Sequence, residues 1–302
     1  MDDAALFQQV GDSLQFVVSD REAGLTVRAL ARGVLRVSRT AFSAMKFSSG
    51  VRVNGVAVHA RHVLRAGDVL LLTPPVRAAQ PPQPGDAPLS VAYEDAWLLC
   101  VSKPAPLPAV ASRQGGLTLE NRVYSYLKPA GPFVYRPINR LDKGTSGLML
   151  IAKDGHTQDL MQRLLHTERF ARQYLAVVAG SPPDAGRAVL PIAKIGPVKR
   201  GVVAGGKPSV TRFETVARRG ELALMRLQLE TGRTHQIRVH LSHLGFPIVG
   251  DYLYGTEDAR LPGRFALHAC ALRFAHPYTG QEIALDDPLP EDVQKVFASG
   301  AK

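Results

Sequence analysis

The chain has 302 residues, 37 Lys and Arg against 26 Asp and Glu, a formal net charge of +11 and two cysteines. Hydrophobic residues at 45% and charged residues at 21% describe a globular chain able to bury a core, which excludes disorder throughout. No apolar run approaches the ~18 residues of a membrane span, the start MDDAALFQQVGDSL is acidic where a secretory signal is basic, and Cys100 and Cys270 form no C-x-x-C pair. A reduced, cytoplasmic protein with a polyanionic partner such as nucleic acid is the expectation.

The first twenty residues carry four aspartates (Asp2, Asp3, Asp12 and Asp20) and no base, whereas residues 21–65 carry nine basic side chains and one acid, Glu22. Scattered bases often only solvate helix faces. Here the local pattern favours a phosphate-binding surface. Residues 25–33 read as a short helix stopped by Gly33, and Ser38 caps a second helix over 39–47 with Gly50 ending the turn. Residues 51–58 read as two short strands around the Asn54-Gly55 turn, and Ala66-Gly67-Asp68 introduces a strand over 69–72. TPPVRAAQPPQPGDAP, residues 73–88, holds six prolines and reads as a semi-extended tether. The expected division is therefore a small domain over 1–73, a linker over 74–88 and a larger domain over 89–302.

In the larger domain, residues 97–102 read as an apolar strand ended by Pro104. Leu119, Val123 and Leu127 recur at helical spacing, and Pro129 stops that helix. GLMLIAK, residues 147–153, reads as a buried strand, followed by the helix stripe Leu160, Met161, Leu164 and Leu165. Strands are expected over 173–178, 209–216 and 223–229, the last alternating as a half-buried strand does. Neighbouring strands outnumber strand–helix–strand alternations. The predicted class is α+β, a mixed, largely antiparallel sheet with helices packed against it.

Two stretches carry chemistry. In RPINRLDKGTSG, residues 136–147, Asp142 lies in a loop of Gly, Thr and Ser between Arg140 and Lys143, cations that favour a carboxylate over a carboxylic acid. A lone Asp in such a loop is more often a turn former. In ETGRTHQIRVHLSHLG, residues 230–245, Thr234 is expected to cap a helix with the apolar stripe Ile237, Leu241 and Leu244, and Gly245 to end it. His235, Arg238 and Ser242 then share a polar face, and Arg233 with the helix N-terminus offers a phosphate contact. The plain alternative is an amphipathic helix with a solvated face. A zinc site on His235, His240 and His243 has no acidic or cysteine partner nearby in sequence, so no metal is expected. Gly201 to Lys207 nearly matches a phosphate-binding loop, but Pro208 replaces its Ser or Thr and a strand follows where a helix is required.

NRLDKGTSGLMLIAKD (139–154) resembles the central motif of the RluA-type pseudouridine synthases, and TGRTHQIRVHLSHLGFPIVGDYLYG (231–255) resembles the motif closing their active site. YEDAWLLCVSKPAPLP (93–108), RQYLAVVAG (172–180) and LHACALRFAHPYTG (267–280) follow in the family's order, so the resemblance covers residues 90–290. SRTAFSAMKFSSGVRVNGVAVHARHVLRAGDVLLL (38–72) resembles the S4 RNA-binding domain, implying a small α/β S4-like domain ahead of the catalytic one. The family implies a cofactor-free isomerisation of uridine to pseudouridine in RNA. On matching positions, Asp142 is its catalytic carboxylate, Arg238 pairs with it and Tyr174 stacks on the uracil. Leu150 or Ile151, with Ile237, lines the base pocket.

The remaining substrate contacts implied are Asn139 (where His is commoner), Arg140, Leu141, Thr145, Ser146 and Gly147 of the first motif. Arg233, Thr234, His235, Gln236 and Ile237 are those of the second. In the S4-like segment, Arg36, Arg39, Lys46, Arg52, Asn54 and Arg61 are the expected RNA contacts. Whether the carboxylate attacks C1′ or removes a proton from C2′ stays open; both roles need its ionised form. The expected partner is structured RNA, ribosomal RNA of the large subunit first and tRNA second, bound by a monomer. Two other readings compete. One is a non-catalytic RNA-binding or ribosome-assembly protein; the other is a glycosidase, which needs a second carboxylate that only Glu230 could supply.

Overall fold

The computed structural model describes residues 7–10, 13–75, 82–85, 87–111, 116–129, 133–165 and 167–301. Asp2, Asp3 and Asp12 of the acidic start lie outside them. The first strands are β1 (Phe7–Val10) and β2 (Ser13–Val17), which pair antiparallel. The acidic, glutamine-rich start hides β1; in β2 the alternation of Leu14 and Phe16 with polar neighbours places those two in the core. Thr26 opens α1 (Val27–Ala29) by accepting from the Ala29 N–H, and the helix continues as a wider π turn over Leu30–Val34. Gly33 therefore lies inside the helix rather than stopping it, and Arg36 turns the chain at φ 53°.

Ser38 caps α2 (Arg39–Phe47) through a 3.2 Å bond from the Ala41 N–H, as its spacing predicts. β3 (Val51–Val53) and β4 (Val56–Ala57) then form a hairpin. Its turn needs positive φ at both centres, and Asn54 and Gly55 supply 50° and 81°. With β5 (Val69–Leu72), the order is β1-β2-β5-β3-β4. Leu14, Leu30, Phe42, Leu70 and Leu72 form its core. This small sheet with its two helices is consistent with an S4-like domain.

The second sheet begins with β6 (Ser90–Glu94) and β7 (Leu98–Lys103). α3 (Leu119–Leu127) follows, then β8 (Ser146–Ala152), α4 (Gly155–Leu164) and β9 (Phe170–Ala179). β10 (Ala185–Val189), a small ribbon of β11 (Ile192–Lys194) with β12 (Arg200–Val202), β13 (Val210–Arg219) and β14 (Leu222–Leu229) come next. α5 (Gln236–His243), β15 (Leu267–Ala275), β16 (Glu282–Asp286) and α6 (Glu291–Ala298) complete the domain. The strand order is β10-β13-β14-β9-β15-β8-β7-β6, with β16 added to β15. Every pairing is antiparallel except β15 with β8. The fold is thus α+β with a mixed, mostly antiparallel sheet.

Of the proline-rich stretch, residues 76–81 and 86 lie outside the described residues. The part that is described is no free tether. The Gln83 carbonyl accepts from Asn121 Nδ2, and the Gly85 N–H donates to Ser125 Oγ, fastening residues 82–85 to α3. Hydrophobic side chains of α3, α5 and α6 meet the central strands in one core, and Met161 of α4 joins a second with Leu98, Leu148 and Phe274. β8 is buried along its whole length between these layers, the reason its sequence is an unbroken apolar run.

Candidate active site

The loop before β8 is fixed from several sides. Asn139 is buried, accepts from the Leu150 N–H at 2.8 Å and donates to the Leu148 carbonyl at 3.2 Å, tying the loop to β8. The Thr145 N–H closes the turn on the Asp142 carbonyl. Gly144 leaves room for Phe265, whose ring would lie 2.6 Å from an added Cβ. Gly147 sits at φ 110° where β8 runs beside β15, and a Cβ there would meet the Ala269 carbonyl oxygen at 2.3 Å. Beneath the loop lies Lys103, fully buried, its Nζ donating to the carbonyls of Leu107 (2.8 Å), Pro104 (3.0 Å) and Lys143 (3.4 Å). Burial pushes the Lys103 amine down to about 7.

The second stretch folds differently from its sequence pattern at one end. Thr234 does not cap the helix; His235, left-handed at φ 58°, precedes α5. Gln236 closes the helix start instead, accepting from the Arg233 N–H (3.0 Å) and the Thr231 hydroxyl (2.8 Å) and donating to the Val210 carbonyl (2.9 Å). Arg238 does not lie on a solvated face. Its side chain is 3% exposed, with Nε and Nη2 each 2.8 Å from the carboxylate of Asp251 and Nη1 2.9 Å from Oδ2 of Asp142.

Asp251 is itself buried and also accepts from the N–H groups of Leu253 and Tyr254. The Arg238 guanidinium carbon lies 4.1 Å from the ring centroid of Phe265. Burial alone would push this guanidinium down, but Asp251 and Asp142 outweigh it and hold it above its ordinary value. Arg238 is a fixed, permanent charge between two carboxylates. Only Asp142, with 28% of its side chain exposed, reaches the surface of the cleft.

That surface is a cavity of about 750 Å³ between the Asp142 loop, β9 and the start of α5. Its wall includes Asn139, Arg140, Leu141, Asp142, Thr145, Tyr174, Arg233, Thr234, His235, Gln236, Ile237 and Arg238. Tyr174 is held by β9, and burial raises its phenol. His235 Nδ1 lies 2.8 Å from the Tyr254 hydroxyl and Nε2 lies 3.8 Å from Asp142; burial lowers its imidazole against the pull of that carboxylate.

Several expected contacts are elsewhere. Ser146 and Gly147 do not line the cavity, because β8 has entered the sheet there and Ser146 Oγ is held by His268 (2.9 Å) and Arg264 (3.0 Å). Leu150 and Ile151 are likewise in the cores on either side of β8. Glu230 is outside the cavity, bonded to Arg187 and Arg212, which hold its carboxyl down to about 2. Among the described residues, no three His, Cys, Asp or Glu converge as a metal site. In the N-terminal domain Arg36, Arg39, Lys46, Arg52 and Arg61 are exposed. Asn54 is engaged, donating to Asp68 and accepting from the Val69 N–H, each at 2.8 Å, and so pins the hairpin rather than standing free.

The family model described as RNA pseudouridylate synthase matches residues 97–243. The chain is 36% identical over 306 residues to the ribosomal large subunit pseudouridine synthase D of Xanthomonas campestris, covering 94% of this chain and 92% of that one. It is 33% identical over 280 residues to an RNA pseudouridine synthase of Bacillus subtilis, covering 90% and 98%. This chain belongs to the RNA pseudouridylate synthase family. The solved structure of human RNA pseudouridylate synthase domain containing 1 is similar with a TM-score of 0.56 and 25% identity, over 68% of this chain and 86% of that one. In this pseudouridylate synthase, sequence reasoning passed over Asp251, Lys103 and Phe265. Asp251 lies in the quoted GDYLYG, where only its burial marks it as the partner of a cation.

Proposed function

We propose that this protein converts uridine to pseudouridine in ribosomal RNA of the large subunit, with Asp142 as its essential carboxylate. The Asp142–Arg238 bond carries the reading: a carboxylate at a cavity wall, oriented by a guanidinium that Asp251 fixes from behind. The reaction breaks the bond from ribose C1′ to uracil N1, turns the base and joins C1′ to C5. The C5 hydrogen leaves as a proton and N1 gains one, so atoms balance without a co-reactant. Asp142 acts at the sugar, on C1′ or on the C2′ proton, and Arg238, 2.9 Å from its Oδ2, orients it for either role.

The ring of Tyr174 is the platform for the uracil. Stacking on an aromatic is worth ~1–3 kcal/mol per base, which offsets much of the few kcal/mol that extruding a nucleoside costs. Arg140, Arg233, Thr234 and His235 surround the nucleotide. Residues 1–73 act as an S4-like RNA-binding domain through Arg36, Arg39, Lys46, Arg52 and Arg61, joined through 74–88 to a catalytic domain over 89–302. The choice of ribosomal RNA is supported by the name of the Xanthomonas relative; tRNA is the second substrate class, and the protein works as a cytoplasmic monomer.

Tritium release from [5-³H]uridine-labelled transcripts of large-subunit rRNA tests this. Wild type should release tritium and Asp142→Asn should not. Equal background release from both, on rRNA and on tRNA, would return the chain to the non-catalytic RNA-binding class.

A further inference from the structure

Three arginines of the described residues are buried: Arg172 at 7% exposure, Arg238 at 3% and Arg264 at 5%. Two of them have acceptors. Arg238 holds two carboxylates, and Arg264 donates to Asp292 and to Ser146. Arg172 has none among the described residues. Its Nε is buried with no hydrogen-bond partner, and its guanidinium carbon lies 5.9 Å from the centroid of the Phe170 ring. A guanidinium has five donors and no way to shed its charge, so burying it without an acceptor leaves a strong unmet demand for an anion.

The location says which anion. Arg172 lines the same cavity as Asp142, and it stands two residues before Tyr174 on β9. Side chains two apart on a strand share a face, ~7 Å from each other. Gly232 forms the wall opposite: a Cβ there would lie 3.1 Å from Arg172 Nη1, so the bare backbone is what gives the guanidinium its place. The cavity wall also carries Arg140, Lys143 and Arg233, and the one carboxylate among its described residues, Asp142, is already held by Arg238. A neutral carbonyl needs no such surplus of charge.

We propose that Arg172 is a phosphodiester seat, taking a phosphate oxygen of the strand immediately beside the nucleoside that faces Asp142. This rests on the reading of RNA as substrate. Arg172 contributes binding rather than chemistry, so its loss raises KM and leaves kcat nearly unchanged.

The test uses the full chain and a labelled 15-nucleotide RNA with one central uridine, with binding followed by anisotropy. Its variants carry a neutral methylphosphonate on the 5′ or the 3′ side of that uridine. Wild type should lose about tenfold in affinity at one of the two linkages. Arg172→Gln should lose about tenfold on the unmodified RNA, lose nothing more at that linkage, and show a salt slope shallower by about 0.7. Gly232→Ala, which crowds the guanidinium from the other side, should show the same selective loss and serves if Arg172→Gln does not fold.

The proposal is overturned if neither linkage matters to wild type, or if the variants lose the same further factor there. It is also overturned if the effect of Arg172→Gln vanishes when the uridine is replaced by an abasic ribose, since the base would then be the ligand. Tritium release by wild type is scored separately: its absence with the linkage effect intact sinks the isomerase reading and leaves the phosphate seat.

Discussion

In the N-terminal domain Arg28, Arg32, Arg39 and Arg52 all stand exposed, and none of them forms an ion pair among the described residues. In the cleft of the larger domain, Arg238 is buried and bonded on both sides to carboxylates. The same side chain does two jobs. An exposed guanidinium contributes little to stability; it offers long-range attraction to a polyanion that added salt weakens. A buried one has given up that freedom, and in return it fixes the orientation of Asp142 before any ligand arrives. Affinity for RNA and competence for chemistry should therefore separate by domain.

The sharpest break is at Asp142. Asp142→Asn should lower tritium release by at least about 10²–10⁴-fold while leaving affinity for rRNA within about twofold, because the other charges of the cavity wall and of the N-terminal domain are untouched. A matching loss of affinity would mean that the carboxylate holds the fold and not the reaction. Arg238→Met should fail for a second reason. It leaves Asp251, fully buried, without its cation, a situation that typically costs about 3–5 kcal/mol. Urea denaturation should show that loss, and the double variant Arg238→Met/Asp251→Leu should recover most of it while tritium release stays absent. If the single variant is as stable as wild type, the Asp251–Arg238 pair is not the fixed element described above.

The N-terminal side of the comparison is tested by Arg39→Gln/Lys46→Gln/Arg52→Gln. These exposed positions should change stability by no more than about 0.5 kcal/mol. The slope of log K against log salt should become shallower by about 0.7 to 0.9 for each phosphate that is no longer neutralised. An unchanged slope would remove this domain from RNA binding, whatever its fold.

What could be read in the sequence follows the range of the interactions that produce each feature. Ser38, Asn54-Gly55 and the apolar run of β8 act through neighbours a few residues away, so capping, turn chemistry and periodicity placed α2, the β3–β4 hairpin and β8 within a residue or two. Ninety-six residues separate Asp142 from Arg238; only the family resemblance brought the two together, since nothing local pairs them. Helical periodicity put Arg238 on a polar face and left a solvated face as the plain alternative, because it scores polarity and cannot see Asp251 closing over the guanidinium from the following loop. Asn139, expected as a substrate contact, lines the cavity, and both ends of its amide are also engaged by the backbone of β8.

The smallest effect concerns acid. The larger domain buries His240, His268 and His276, and the N-terminal domain buries no histidine among the described residues. His240 Nε2 lies 3.0 Å from the Leu190 carbonyl and His268 Nε2 lies 3.1 Å from that of Asp287. A carbonyl only accepts, so in both rings Nε2 carries the proton, while Nδ1 takes a hydroxyl hydrogen from Thr211 or Ser146. Burial lowers both imidazoles below their ordinary value. Above the unfolded value of about 6.5 both states are neutral and stability is complete. As pH falls below it, the unfolded chain takes up protons that the folded one resists, and stability drops until the folded rings also titrate. Each ring can contribute at most about 1.4 kcal/mol per pH unit in that window. Hydrogen exchange at pH 7.5 and pH 5.5 should therefore show protection falling in α5 and β15 while α2 and β5 hold, and His240→Gln should flatten the fall in α5. A uniform loss across both domains would mean that acid acts on the surface charges they share rather than on these two buried rings.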